Sequence, residues 1–507
     1  MSKRAGAPLK LNGKCQIMNT RENMGQSLVC FLLAGILLFA ARPHVHAGNW
    51  PVTPKDIRIK PGSDKWFEDN GKYPYLVGVY DSSPFSNFWG DPGKEFDPNG
   101  SRASNPVTHP CANGFLWSNY LDAMATHGMT ALRAAAIPFS LDAPKGSPYK
   151  HYNPYPFPWK RTDANRRYEP GKLETESQVN FNYLHSKADP DLMHPDANYF
   201  KWRVRRFCKE AKARKIYVIL NLQLSNADYL PYDPENEKCK RYINALLKET
   251  IDLGNVLYEI NWEAGNGEWL EYWANYVKGK LVAVGRPKNL IVVNQDTRPC
   301  IDLKSPEYTI IGHHRQHKRD APEGGCHQGG VLQSRQYGKP VIFTEDFNYG
   351  QTHNKPTADD LRHRLWFSFV TGVHYLWYDW TIPEEKGPPI NFYTPLVRAA
   401  ESLVKFLKTV APPFWTMSVN DSLASGSNNW VLANPGHHYI VYFSTGVGSG
   451  TVMNLQAGPF KARWFKPEAG STGEFVGAEF DAPANGAFSP PGGTTAGDKL
   501  VLYIYEP

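Results

Sequence analysis

Three glutamates lie close together in the stretch NVLYEINWEAGNGEW, which runs from Asn255 to Trp269. Glu259 and Glu263 are four residues apart, a spacing that would place both on one face of a helix. The Val, Tyr, Ile and Trp residues around them favour a strand instead. On a strand they still share a face, but they lie about 13 Å apart along it. We therefore predict Glu259 in the interior, Glu263 at the rim of a sheet, and Glu268 in the first turn of the next helix.

A second carboxylate follows another apolar run. In KPVIFTEDFNYG the apolar residues lead into Thr344, Glu345 and Asp346. Two facing carboxyl groups can hydrolyse a glycosidic bond, because one protonates the leaving oxygen while the other attacks the anomeric carbon or activates water. Glu263 and Glu345 are the candidate pair, provided that the fold brings the two strand ends together.

The elements that must position this pair alternate between apolar runs and amphipathic segments. The runs cover 73–80, 128–137, 215–224, 255–262, 289–296, 308–314, 340–346 and 373–380, and helical patterns cover 199–214, 240–254, 267–285 and 357–372. Unbroken Val/Ile/Leu runs are typical of strands buried on both faces. Eight of them with intervening helices predict an α/β fold, a (β/α)₈ TIM barrel, in which the ends of strands four and seven face each other across the mouth. The alternative is an open doubly wound sheet, which usually carries a Gly-rich turn after its first strand.

The flanking segments differ from this pattern. Residues 48–70 form a polar lead-in without a clear assignment, and the barrel is expected to span 71–410. A Pro- and Tyr-rich segment, 138–197, would overhang the mouth of the barrel, and a loop of this length is usually functional. Residues 411–507 contain short strands split by Gly, Asn and Pro turns, which predicts an antiparallel β-sandwich domain.

The charge distribution separates a basic leader from a nearly neutral body. The net charge is +7, and residues 1–47 carry +5 of it. The nearly neutral remainder gives no case for nucleic-acid binding. Basic residues, a single apolar run (27–41) and the sequence Val-His-Ala at 45–47 predict a signal peptide cleaved after Ala47. An uncleaved anchor is the alternative, and Met18 or Met24 is an alternative start. No later run is long enough to predict an integral membrane segment.

Five cysteines remain in the mature chain: Cys111, Cys208, Cys239, Cys300 and Cys326. This odd number implies a free thiol or an intermolecular bond, and the sequence does not determine the pairing. Aromatic residues make up 13% of the chain, with 15 Trp, and such flat rings suit either a core or a sugar site. The expected partner is a carbohydrate, and the oligomeric state stays open.

The barrel resembles the clan A glycoside hydrolases. In that clan the acid/base glutamate ends strand four within YEIxNE, and the nucleophile ends strand seven within patterns like KPVIxxE. By this resemblance YEINWE places Glu263 on the acid/base, KPVIFTE places Glu345 on the nucleophile, and Glu259 is the buried glutamate four residues earlier. The mature chain also resembles bacterial cellulase-like and apiosidase-like barrels with a C-terminal domain labelled collagen-binding.

The resemblance extends to the substrate-binding residues, with one departure. The clan has an Asn directly before the acid/base glutamate, where it binds the sugar 2-hydroxyl, but here Trp262 takes that position and Asn261 lies one step earlier. A β-bulge would restore the Asn. The clan also implies that Arg133, at the end of strand two, braces the nucleophile. Further candidates that line the pocket or contact the sugar are His313, His314, Trp377, Asn221 and Asp81.

These expectations combine into a secreted retaining glycosidase that needs no cofactor and no metal. Two alternatives remain open. The barrel could bind a glycan or matrix component without turnover, as the Trp262 departure and the label of the tail domain suggest. A metal site at His313 and His317 is the other, although Arg315, Lys318 and Arg319 would repel a cation.

Overall fold

The structure is a computed structural model. It describes residues 51–81, 117–136, 194–195, 197, 199–222, 237–261, 267–286, 290–294, 304–315, 337–348, 357–378, 394–425, 429–446, 451–455, 458–468, 472–495 and 497–507. The predicted signal peptide (1–47), nearly all of the segment 138–197, and Cys111, Cys300 and Cys326 lie outside these residues. Cys208 and Cys239 lie within them, and both are buried.

Eight parallel strands close into a barrel, as the sequence predicted. The strands are β3 (Val77–Asp81), β4 (Ala131–Ala135), β5 (Tyr217–Asn221), β6 (Val256–Glu259), β7 (Ile291–Asn294), β8 (Ile310–Arg315), β9 (Val341–Asn348) and β10 (Val373–Tyr378). They pair in chain order, and β10 closes the barrel on β3. Strand four of the prediction is therefore β6, and strand seven is β9. Every residue of β4, β5, β6 and β7 is buried, which explains why the runs lack polar alternation.

Helices surround the barrel, and their apolar faces pack against the strands. They are α1 (Trp117–Thr126), α2 (Arg206–Ala213) with a preceding π-helical segment (Tyr199–Arg205), α3 (Glu237–Thr250), α4 (Gly267–Ala283), α5 (Ala358–Val370) and α6 (Thr394–Val410). Thr357 and Asp360 form the predicted capping box of α5. Within the described ranges, no helix has both the length and the apolar character needed to cross a membrane.

The lead-in segment, which the sequence left unassigned, forms a hairpin of β1 (Ile57–Ile59) and β2 (Phe67–Asp69). Ile57 and Phe67 pack with the apolar residues of the barrel interior. The hairpin lies at the N-terminal ends of the strands, because the Ile57 amide donates to the Gly254 carbonyl just before β6. A Cβ atom on Gly254 would lie 1.4 Å from the Lys55 carbonyl oxygen, so this close approach requires glycine.

The tail forms the predicted antiparallel sheet domain. Its six-stranded sheet has the order β11 (Ser418–Val419), β12 (Asn429–Asn434), β13 (His438–Phe443), β18 (Leu500–Tyr505), β15 (Lys461–Lys466) and β16 (Glu474–Asp481), and β14 (Thr451–Val452) pairs with β17 (Ala487–Phe488). One face of the large sheet joins the main core through Leu432, Phe465 and Tyr503. The other face has a core of its own, which includes Phe443 and Trp464.

Candidate active site

Polar side chains fill the barrel interior at the C-terminal ends of the strands. Asn221, Glu259 and Asn294 are the last residues of β5, β6 and β7. They are buried together with three side chains from β4 and β9. We call this set the polar ring, and its members are Arg133, Asn221, Glu259, Asn294, Thr344 and Glu345. Active sites of TIM barrels lie at this end of the strands.

Arg133 joins two carboxylates from different strands. Its Nε donates to Glu259 Oε2 at 2.5 Å, and its Nη1 donates to Glu345 Oε2 at 2.7 Å. The guanidinium lies over the ring of Tyr80, 4.1 Å from the ring centre. Burial alone would lower the pKa of Arg133, but the negative charges of Glu259 and Glu345 more than offset this and hold the pKa above its ordinary value. Arg133 is therefore a permanent cation between two acidic groups.

The described hydrogen-bond partners of Glu259 all donate to it. Besides Arg133, Asn221 Nδ2 donates to Glu259 Oε2 at 2.8 Å, and Asn294 Nδ2 lies 3.4 Å from Glu259 Oε1. These donors come from β4, β5 and β7 and fix the position of the carboxylate. Glu259 is completely buried, as predicted from its strand position. It is suited to hold Arg133 in place.

Glu345 reaches the polar ring because β9 contains a bulge. His313 pairs with Phe343 and His314 pairs with Glu345, so Thr344 is the extra residue in β9. Thr344 Oγ1 donates to the carbonyl of His313 and accepts from Asn294 Nδ2 at 3.3 Å. The bulge allows Thr344 and Glu345 to reach the interior although they are neighbours in the chain. Regular alternation would have turned one of them outward.

Asn261 has a structural contact that the sequence did not predict. Its Nδ2 donates to the carbonyl of Asn294 at 3.2 Å, and its Oδ1 accepts from the Asn294 amide at 2.9 Å. The side chain thus extends the pairing of β6 and β7 beyond the last residue of each strand. The described pairs of β6 end at Glu259, so the possible bulge at Asn261 and Trp262 stays a prediction.

Two other candidates are buried on the far side of the strands. Trp377 belongs to the apolar layer between barrel and helices, whereas its neighbour Leu376 belongs to the interior cluster. Trp377 therefore lies on the face opposite to the one that a sugar-stacking role requires. His313 is buried and contacts Phe343, with ring centres 5.9 Å apart, and alternation directs it away from Gly312, whose Cβ position abuts interior residues.

Some predicted residues lie partly or wholly outside the described chain. Glu263, Trp262 and His317 fall outside it, and for Asp81 and His314 the strand is described but the side chain is not. Glu268 lies in the first turn of α4, as predicted. Among the described residues, no group of three His, Cys, Asp or Glu side chains could hold a metal ion. Because His317 lies outside the described residues, the alternative of a metal site at His313 and His317 is untested.

Comparisons with known proteins concern the fold. No protein-family profile matches the sequence, and no curated protein matches it. Solved structures do match. The chain superimposes on a glycoside hydrolase with a TM-score of 0.56 and 12% identity, covering 87% of this chain and 95% of that one. It also matches a glycoside hydrolase family 5 protein from Bacteroides vulgatus with a TM-score of 0.58 and 12% identity, covering 89% and 94%.

The chain shares its fold with solved glycoside hydrolases. At this level of identity the similarity concerns the fold, barrel and tail sheet together. The polar ring therefore lies on a scaffold that solved glycoside hydrolases share.

Sequence reasoning missed three residues of this site. Asn294 ends its apolar run as Asn221 does, so the rule that singled out Asn221 applies equally to Asn294. Thr344 directly precedes Glu345, and Tyr80 ends the first run. Their positions at strand ends were visible. The contacts of Tyr80 with Arg133, of Asn294 with Glu259 and of Thr344 with Asn294 depend on the closed barrel.

Proposed function

We propose that this chain is an exported retaining glycoside hydrolase that cleaves an oligo- or polysaccharide. In this proposal Glu345 attacks the anomeric carbon and Glu263 protonates the glycosidic oxygen. A covalent glycosyl-enzyme forms, and Glu263 then acts as the base that activates water. Export rests on the leader sequence at 1–47.

The contact between Arg133 and Glu345 is the observation that carries the proposal. A nucleophilic carboxylate must be ionised, and a buried guanidinium at 2.7 Å favours that form. The contact lies at the end of the barrel where TIM-barrel enzymes place their catalytic groups. The shared fold with solved glycoside hydrolases supports the same reaction class.

The roles of Asn261 and Asn221 are correspondingly structural. Both side-chain ends of Asn261 engage the backbone of Asn294, and Asn221 donates to Glu259 and to the Asn261 carbonyl. We therefore assign sugar contacts to other residues, and Trp262, His314 and Asp81 are the candidates that remain from the sequence.

The test is a panel of aryl glycosides and polysaccharides, assayed with wild type, Glu345→Ala and Glu263→Ala. Turnover should vanish in Glu345→Ala. In Glu263→Ala it should fall by about 10²–10⁴-fold, with smaller losses for substrates that have good leaving groups. Glu268→Gln, an exposed glutamate at the start of α4, is the matched control and should retain full activity.

Azide separates the two roles further. Azide should restore the activity of Glu263→Ala and give a product of retained configuration, because the glycosyl-enzyme still forms. It should restore the activity of Glu345→Ala with a product of inverted configuration. Binding of a glycan without turnover by wild type would favour the non-catalytic alternative. Full turnover by Glu345→Ala would contradict the proposal.

A further inference from the structure

We propose that Glu259 is a positioning residue which, through Arg133, sets the orientation and proton affinity of Glu345. This inference rests on the proposed role of Glu345 as the nucleophile. Glu259 itself is completely buried below the mouth and does not touch the substrate in this scheme.

The first step is mechanical. Glu259 fixes the Nε side of Arg133, while Asn221 and Asn294 fix Glu259 from the strands on either side of it. The guanidinium is planar, so an anchor at Nε also fixes the direction of Nη1, which is the group that donates to Glu345. The orientation of Glu345 therefore depends on Glu259 through one rigid group.

A second path closes the ring. Asn294 Nδ2 lies within 3.4 Å of Glu259 Oε1 and within 3.3 Å of Thr344 Oγ1. Thr344 is the bulged residue next to Glu345, and its hydroxyl donates a hydrogen bond to the carbonyl of His313. Glu259 is thus connected to both the side chain and the backbone of the nucleophile.

The second step is electrostatic. One positive charge, Arg133, serves two carboxylates, so the pair and its cation carry a net charge of −1. If Glu259 becomes neutral, the charge of Arg133 acts on Glu345 without competition from Glu259. Glu345 should then hold its proton less tightly and become a weaker nucleophile.

Other charges near β9 in the described chain do not replace this effect. Asp346 is paired with Arg364 of α5, and it accepts from Tyr375 of β10. His313 of β8 is directed away from the interior, and Tyr80 of β3 lies under Arg133. The group that competes with Glu345 for Arg133 is Glu259.

The test compares wild type with Glu259→Gln, which keeps the shape of the side chain and removes its charge. Asp69→Asn is the matched control. Asp69 of β2 is also a buried carboxylate, but it lies at the other end of the barrel. There it accepts from the Lys55 and Asp56 amides and from the Tyr217 hydroxyl. Both variants should lose stability, so stability alone does not distinguish them.

The pH profile does distinguish them. In Glu259→Gln, kcat should fall by about 10²-fold with little change in KM, because the nucleophile is misplaced after the sugar has bound. The acid limb of kcat/KM should move to lower pH by about one unit. In Asp69→Asn the acid limb should stay at its wild-type position. An unmoved acid limb in a folded Glu259→Gln enzyme would overturn the inference.

A second measurement does not need turnover. Titration of ¹³C-carboxyl-labelled glutamates, with the Glu345 signal assigned by its loss in Glu345→Gln, should show Glu345 titrating at lower pH in Glu259→Gln than in wild type. If wild type cleaves no glycoside but this shift occurs, the proposed function fails and the coupling stands. If wild type is active and the signal does not move, the coupling fails and the function stands.

Discussion

Arg133 is the residue on which the site depends most. It is completely buried, its guanidinium contacts carboxylates from β6 and β9, and Tyr80 supports it from below. A buried ion pair is no net gain over apolar packing, but removal of one partner is costly because it leaves a buried charge uncompensated. Here removal of the cation would leave two carboxylates facing each other.

We expect Arg133→Met to lower the free energy of unfolding by about 3–5 kcal/mol at neutral pH. Urea denaturation at neutral pH measures this. Arg58→Met is the control, since Arg58 forms a half-exposed pair with Glu68 and should cost less than about 1 kcal/mol. Equal losses in both variants would contradict the role assigned to Arg133.

The bulge in β9 marks a limit of what the sequence could predict. Glu345 was predicted because it follows an apolar run, Glu259 from its interior place on its strand, and Arg133 from the resemblance to the clan. The closed barrel brings the three together. A period of two places Thr344 and Glu345 on opposite faces. Only the pairing of β9 with its two neighbours shows the extra residue, and pairing is a property of the folded chain.

Between β6 and β7, the Asn261 side chain takes the place of a further strand residue. We expect Asn261→Ala to lower stability by about 1–3 kcal/mol, since it leaves the amide and the carbonyl of Asn294 without these partners. Thermal unfolding and KM together test this. A variant of unchanged stability with a raised KM would mean that Asn261 contacts the sugar instead.

The hairpin β1–β2 closes the opposite end of the barrel around a buried histidine. The Leu76 amide donates to His374 Nδ1 at 3.0 Å, and Nε2 lies 3.1 Å from the Lys65 carbonyl, so Nε2 carries the proton and the ring is neutral. Burial lowers the pKa of His374 to about 3, although the Lys65 carbonyl opposes the shift. The end of the barrel that the hairpin closes therefore requires a neutral His374 ring.

Acid should destabilise the end of the barrel that the β1–β2 hairpin closes. The folded-state pKa lies below the unfolded value of about 6.5, so the unfolded chain binds the proton first as pH falls. The contribution of His374 to the free energy of unfolding is complete above about pH 6.5. Below that pH it falls by about 1.4 kcal/mol per pH unit, down to about pH 3. Unfolding measured against pH should show a shallower slope in His374→Asn. Equal slopes would contradict this account.

At the scale of the whole molecule, the tail sheet and the barrel share one apolar core. Phe465 of β15 packs against Trp366 of α5 and Phe406 of α6, with ring centres 5.7 and 5.6 Å apart. His363 of α5 also contacts the Tyr442 hydroxyl at 3.0 Å. The sequence predicted the strands of the tail from their turns, but not this contact, because a strand buried on both faces does not reveal what covers it.

We expect Phe465→Ala to destabilise the barrel and the sheet together, by about 3–5 kcal/mol. The signal is a single unfolding transition that moves to lower temperature, seen by both tryptophan fluorescence and far-UV circular dichroism. Phe480→Ala, a partly buried position near Phe488 on the other side of the sheet, should cost less. Two separate transitions, with only one of them shifted, would mean that the sheet does not stabilise the barrel.

The central claim is that Glu345 is the nucleophile of a retaining glycosidase. The most direct measurement uses a 2-deoxy-2-fluoro glycoside of the sugar that the substrate panel identifies, followed by mass spectrometry of the digested protein. A retaining mechanism traps the glycosyl-enzyme, and our account predicts one sugar per chain on the peptide that contains Glu345. A label on a different residue, or an active enzyme that forms no covalent intermediate, would contradict it.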